Sequence, residues 1–590
     1  MRVPEKKWVT ESRYGTVLYF AQIVEEMFWH GARDSYRPPS LDSYHRSVEL
    51  SKIHRDLAEA GRLDSQIMLP MFDEFLLFVS QDLTIKRHFS DVWELVSHHL
   101  RDRQSNVESK IAPVRLFERT VGKMYLRHCR STIESYANNQ KPKDKAPFYI
   151  LVGNYFSYLL NVGHTPEHIY IQTLRHFFER ELTDPPPREL QEFFRLFPGR
   201  STTFKVYASV SEEMQVALEG VDGVNSKPAV PASARRRHPS VLDWPERYTV
   251  EFSSIKALDA PGAWLACTRS LSLTRAIAYT AKPAANLVWE PVMLVTTTDL
   301  QASSSLGEPV SPLQRRYRGN SSEADRLVTR RRSIVSNEKL TDRDRNRLLN
   351  SITGYADAFH SESPATQLVS LWSSLEGFLP APQAEVPRIQ SFLKSILAAQ
   401  QRMYLENQFV WLYVDLIKLY HGSLSEILKA VPEYETEIAR LVAALCFAHH
   451  EPVRIKLGNL CAGNPLATQR MFQLHNAAKN CGDLVASVKR HLAKVEWHLL
   501  RIYRERNRIV HRANPSQNVP SLIVNLNEYI LVSMEAFFRA ALEDQDAFSV
   551  DDIFSEIGLE EEARFRAALR IAAEPVTAEN ASLIVGFTLH

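Results

Sequence analysis

A run of about 20 apolar residues, the length that spans a bilayer, occurs nowhere in this sequence of 590 residues. The opening segment, MRVPEKKWVTESRYGTVLYF, lacks an uninterrupted apolar stretch and a small-residue cleavage site, so it does not read as a secretory signal. Cysteine is scarce. Cys129, Cys267, Cys446, Cys461 and Cys481 are odd in number and widely scattered, which argues against a disulfide framework and for a reducing compartment. An excess of one charge is also missing: 71 basic residues face 69 acidic ones, for a net charge of +2. A total so near neutral is silent about partners, because local patches decide nucleic-acid binding. The expectation is a soluble, cytoplasmic protein with no membrane partner.

Several catalytic signatures are absent too. Gly122-Lys123 is followed by Met124, and no glycine stands five positions before Gly122, so there is no Walker loop. No GxGxxG, HExxH, GxSxG or EF-hand pattern occurs. Cys446, His449, His450, Cys461, His475 and Cys481 lack paired CxxC knuckles, and Cys446 falls on the apolar face of a helix. Buried small hydrophobes and surface histidines account for this group better than zinc. No metal and no cofactor is expected.

What is present is mainly helical periodicity, in a chain long enough for three or four cores. Residues 1–198 read as a helical domain, with apolar residues at helical spacing in TVLYFAQIVEEMF, MFDEFLLFVSQDL and FYILVGNYFSYLL. Thr165-Pro166-Glu167 is a helix start, with proline in the first turn and an acid at the positive end. Pro185-Pro186-Pro187 and Pro198-Gly199 close this region. Residues 199–300 read as a small α+β domain. TTFKVYASV, RYTVEFSSI and LVWEPVMLV are its strands, Ala263 to Thr280 a helix, and the stretch between Gly223 and Pro245, with its Arg235-Arg236-Arg237-His238 run, a mobile loop. Residues 301–345 form an arginine-rich linker containing Arg315, Arg316, Arg318, Arg330, Arg331 and Arg332. A solvated basic surface explains it, and contact with RNA or phosphate is the alternative. Residues 346–545 are helical throughout. The tail, 546–590, holds an acidic segment, a helix around Glu561 to Ala573 and a short strand, SLIVGFTL.

One segment combines periodicity with a misplaced charge. Val488, Leu492, Val495, Leu499 and Ile502 follow steps of four and three and form a single apolar stripe. The next step of four lands on Arg506 and the next step of three on Ile509. A guanidinium where the stripe calls for an apolar side chain must meet an anion, a carboxylate or a cleft. Asn507 and His511 are one turn apart and share a face. Arg506 and His511, five apart, are separated by about 140° around an ideal helix. A loosened last turn before Asn514-Pro515 can bring them together, and so can a second copy of the helix. Upstream, Leu368, Leu371, Trp372, Leu375 and Leu379 form another stripe, bordered by Glu376. Glu376 is placed to orient Arg506 or His511, or else is a carboxylate at the solvent edge.

The segment RNRIVH resembles the Arg-polar-x3-His signature of HEPN ribonucleases, and LWSSLEGFL is similar to the first-helix pattern of the Apea-like HEPN group. The resemblance covers about 365–543, a third of the chain. It implies a C-terminal helical bundle that pairs as a homodimer, with two motif helices forming one cleft. It implies metal-independent cleavage of RNA by Arg506, Asn507 and His511, with Glu376 beside them. His511 is the expected base or acid, since an imidazole can move a proton. Arg506 offers a fixed fork to phosphate oxygens. Arg501, Arg504, Arg508 and Arg512 surround the motif and are expected to follow the RNA backbone. Many large proteins resembling this layout act in bacterial antiviral defence or as toxins, so regulation by the N-terminal domains and a phage or host trigger are further expectations. The alternative is a non-catalytic HEPN module for RNA binding or dimerisation within a scaffold.

Overall fold

A computed structural model describes residues 2–29, 32, 36–59, 65–102, 106–138, 145–230, 236, 238, 247–298, 303–307, 313, 321–337, 340–380, 388–512, 515–516, 518–543 and 549–585. Arg235, Arg237, Arg315, Arg316, Arg318 and Asn514 lie outside the described residues. Helices make up 73% of the structure and the strands form one small sheet, so the fold is mainly α with a small α+β region.

The N-terminal helices gather around aromatic side chains. The helix Gly15–Phe28 is buried on every side, as its unbroken apolar run requires. Phe20 meets Phe177, Phe193 and Phe194 edge-on at 5.7–6.1 Å. Asp82 is buried yet satisfied: it accepts from Ser43 Oγ, the Tyr125 hydroxyl and the Thr84 amide. Thr165 caps the helix Pro166–Thr173 as its sequence foretells.

Five antiparallel strands follow in the order β2-β3-β1-β4-β5: β1 is Thr202–Val210, β2 Val224–Asn225, β3 Tyr248–Ala257, β4 Met293–Thr297 and β5 Ser303–Leu306. The helix Ala260–Ala281 packs on the sheet through Trp264, Cys267 and Leu271. Asp259 joins this unit to the helices before it. Its carboxylate accepts from the Gly262 amide at its own helix start, and from both the amide and the hydroxyl of Thr165. Three details differ from the sequence reading: the stretch after Gly223, expected as a loop, begins with β2, which pairs with β3. LVWEPVMLV forms a strand only from Met293 onward, because Pro291 has no N–H for a ladder. Trp289 contributes one isolated bridge to Val210. β5 lies beyond residue 300, where the polar serines conceal a strand paired to β4.

Two long helices, Arg388–Tyr420 and Cys481–Arg512, run through the C-terminal half and each contributes to two cores. Phe392 to Met403 join Val495, Leu499 and Ile502 in one core. Leu405 to Leu416 join Cys481, Leu484 and Val488 in the other. The segment set apart as a tail belongs to the same packing. Ser549 caps the helix Val550–Arg570, whose Val550, Ile553, Phe554 and Ile557 enter the first core. The strand expected at SLIVGFTL is corrected: residues 582–585 continue the helix Ala578–Val585. Thr577 and Asn580 exchange amide-to-side-chain bonds at its start, a reciprocal cap that fixes the helix.

The N-terminal helices and the C-terminal half are joined by buried charge. Arg501 donates from Nε and Nη2 to Glu49 (2.9 and 2.8 Å) and from Nη1 and Nη2 to Glu74 (3.1 and 2.7 Å). Arg46 also pairs with Glu74 and lies 3.7 Å over the Phe78 ring. A second cluster sets Arg470 between Asp415 (3.2 Å) and Glu26 (3.5 Å), stacked 3.4 Å from the centre of Tyr36. Leu466 enters the N-terminal aromatic core, and its amide donates to Gln22.

Burial alone would raise the pKa of Glu74, but Arg501 and Arg46 outweigh it and hold the carboxyl down from 4.5 to about 2. A depressed carboxyl contributes stability that is fully present above the unfolded value and is lost as pH falls toward the folded one. Glu74→Gln is therefore expected to destabilise the protein at pH 7 by about 3–5 kcal/mol, the scale for breaking a buried pair. It is also expected to flatten the loss of stability between pH 4.5 and pH 2. Denaturant titrations across that range check both effects, and an unchanged acid limb would contradict the assignment.

Candidate active site

The helix Cys481–Arg512, the motif helix, has two covered faces. Val488, Val495, Leu499 and Ile502 are buried in the C-terminal cores, as the stripe requires. On the roughly opposite side Arg501 is buried and Trp497 meets Phe78 of the N-terminal helices at 6.1 Å, with His498 buried between the two faces. His498 Nδ1 lies 2.8 Å from the Tyr529 hydroxyl, and burial keeps its imidazole neutral by pushing its pKa well down. It is a histidine of the joint, not of the open surface.

Arg506 extends the apolar stripe and is 24% exposed. The helix Pro364–Phe378 lies against it. Trp372 and Tyr503 pack at 5.6 Å, and about one turn further along both helices Glu376 lies 3.9 Å from Arg506 Nη2. Glu376 is shared, since Arg388 stands 3.4 Å from the same oxygen. Arg506 Nη1 donates to Asn507 Oδ1 at 3.0 Å, while its Nε is buried without an acceptor. The guanidinium thus has a neighbour but no close carboxylate, and keeps donors for another acceptor.

His511 is exposed, one residue before the helix ends at Arg512. The last turn stays helical, so it does not swing His511 toward Arg506. Within one chain the two remain about 140° apart around the axis. Asn507 lies between them in angle, bonded to the arginine and one turn from the histidine. Val510 beside them is 49% exposed, an apolar side chain at the open end of the helix.

The four arginines expected to follow RNA are placed unequally. Arg501 is corrected: Glu49 and Glu74 enclose it, and at 3% exposure it offers nothing to a ligand in this arrangement. Arg504 is half-buried, with no ion pair to any described carboxylate. Arg508 pairs with Glu505 at 3.0 Å, whose carboxylate also accepts from the Ser516 amide. Arg512 is exposed. Sequence reasoning missed Glu49, Glu74 and Arg46. Glu74 carried a signal of the same kind as Arg506, a charge inside the apolar run MFDEFLLF, but its partner is 427 residues away. Among the described residues, no group of three or more His, Cys, Asp and Glu side chains is placed to hold a metal ion.

No family model, no curated protein and no solved structure matches this chain.

The two arginines predict opposite outcomes. Arg506→Ala is expected to lower stability by ~1 kcal/mol or less, because a partly exposed pair at 3.9 Å contributes little after screening. Arg501→Ala leaves Glu49 without its cation and the buried Glu74 with Arg46 alone, and is expected to cost about 3–5 kcal/mol. Denaturant unfolding of both variants checks this. A large loss for Arg506→Ala would assign that side chain to the fold and not to a ligand.

Proposed function

We propose that this chain is a metal-independent endoribonuclease of HEPN type, acting as a homodimer in which two motif helices build the cleft. The observation that carries the reading is Arg506. It sits where the helix calls for an apolar residue, is held beside Asn507 and loosely beside Glu376, and retains free donors. His511 projects from the same helix end into solvent. In the proposed reaction one His511 removes the proton of a ribose 2′-hydroxyl. The oxygen attacks the adjacent phosphorus, and the P–O5′ bond breaks. A proton returned to the 5′-oxygen completes the step, leaving a 2′,3′-cyclic phosphate and a 5′-hydroxyl. Arg506 stabilises the charge on the five-coordinate phosphate, and Asn507 keeps the guanidinium in register. Glu376 is a positioning residue. Because Arg506 and His511 diverge on one helix, the cleft holds two sites, each with Arg506 from one chain and His511 from the other. The exposed Val510 and Arg512 flank this seam, and Arg512 with the outer edge of Arg508 leads RNA to it.

The covered face of the motif helix supports a regulatory reading as well. The N-terminal helices grip the helix that carries the site, which suits an effector held in check until a phage or host signal arrives, in the cytoplasm of a bacterial cell. The same 140° divergence favours a second reading, a non-catalytic RNA-binding module, if the chain stays monomeric.

Purified protein incubated with total RNA in EDTA is expected to yield 2′,3′-cyclic phosphate ends. His511→Ala should lower the rate ~10²-fold or more, the usual scale for a proton-transfer group. Mixing folded Arg506→Ala and His511→Ala chains should restore about a quarter of the parental activity, since half the dimers are mixed and each mixed dimer has one of its two sites intact. Undiminished cleavage by His511→Ala would end the nuclease reading. No restoration on mixing would end the composite cleft.

A further inference from the structure

The joint between the motif helix and the N-terminal helices holds more positive than negative charge. The motif helix supplies Arg501 and Arg504, the helix Ser43–Glu59 supplies Arg46 and Glu49, and the helix Ser65–Gln81 supplies Glu74. Both carboxylates are engaged by Arg501, and Glu74 by Arg46 as well. Arg504 feels Glu49 and Glu74 electrostatically but bonds to neither. Its Nε is buried with no acceptor, and so is Nη2 of Arg46, a side chain only 3% exposed. Burial pushes the pKa of both guanidiniums down, the direction expected for cations short of a counter-charge. Among the described residues, the nearby groups do not repair the imbalance. His498 is neutral, Lys494 adds positive charge, and Glu505 is occupied by Arg508 and the Ser516 amide.

A buried cation without a partner is costly, and a joint made of three guanidiniums and two carboxylates has a place for one more anion. We propose that the joint is a phosphate-binding site anchored by Arg504, taking a free phosphate or polyphosphate group. A guanidinium fork suits a tetrahedral, multiply charged acceptor, which satisfies several N–H donors at once. Arg504 is half-buried and thus reachable from one edge. Arg508 and Arg512 follow it at steps of four along the same side of the motif helix, so a second phosphoryl group meets further cations. The anchoring Arg504 is distinct from Arg506, and occupancy of the site is read by binding and unfolding without any RNA cleavage. Its occupant neutralises the surplus charge and tightens the hold of the N-terminal helices on the motif helix.

The test uses the full chain with pyrophosphate and inorganic phosphate, against chloride at matched ionic strength, read by calorimetric binding and by thermal unfolding. The expected result is saturable binding of pyrophosphate, tighter than phosphate, with a rise in Tm. Arg504→Gln should fold at least as stably as the parent in chloride and bind pyrophosphate at least tenfold more weakly, the loss of about one charge-assisted contact. Arg504→Lys should keep part of the response, and Arg506→Ala should keep all of it. A short single-stranded RNA serves as a further arm: if it binds through Arg504 while pyrophosphate does not, the joint is an RNA contact and the proposal fails. It fails equally if the parent shows no saturable binding. It also fails if Arg504→Gln keeps the full response, or if the response disappears with Arg506 and not with Arg504. Should Arg504→Gln not fold, the parent titration and the Arg504→Lys comparison decide.

Discussion

The interaction on which the rest depends is the grip of Glu49 and Glu74 on Arg501. Five N–H to oxygen contacts converge there, joining the motif helix to two N-terminal helices more than 400 residues earlier in the sequence. Burying charges this deeply is unfavourable unless geometry and hydrogen bonding are nearly complete. The bidentate arrangement on both carboxylates meets that demand for Arg501, whose proton is held more firmly than usual despite burial. Such a joint specifies orientation more than it adds stability. Apolar packing between the same helices would tolerate a slide or a rotation, whereas a shared guanidinium fork tolerates little of either.

The position of this joint gives it functional weight. Arg501 is five residues before Arg506 and ten before His511, all on one continuous helix. A helix transmits orientation along its length, so whatever fixes Arg501 also fixes the direction in which Arg506 and His511 project. The Arg470 cluster fixes a second point, where the N-terminal core accepts Leu466. Displacing the N-terminal helices would uncover Trp497, His498 and Arg501 on the motif helix. The proposed control of the site and the proposed phosphate site both rest on this geometry, through different side chains.

Much of the architecture was legible because it is local. The steps of three and four through Val488, Val495, Leu499 and Ile502 mark a helix face without reference to anything distant. Thr165-Pro166 marks a helix start by its own capping chemistry. The β1 and β3 strands show their alternation directly. What failed was non-local. SLIVGFTL is β-branched and apolar like a strand, yet the Thr577 and Asn580 cap commits residues 578–585 to a helix. β5 carries serines and is a strand only because β4 offers it an edge. At the site, Arg506 was visible as a charge on an apolar stripe, and Glu376 as its neighbour through the spacing from Trp372. The fate of Arg501 was not visible. One arginine among four on a basic helix looks like its neighbours until Glu49 and Glu74, more than 400 residues away, arrive to cover it.

The N-terminal helices and the motif helix are energetically coupled through this joint. A double-mutant cycle on Arg501→Ala and Glu74→Ala, by denaturant unfolding at neutral pH, measures this coupling most directly. A coupling of roughly 2 kcal/mol or more is expected, since side chains within one buried network do not contribute independently. Single-variant losses that add to within about 0.5 kcal/mol would contradict it, and the N-terminal helices would then have no specific hold on the helix that carries Arg506, Asn507 and His511.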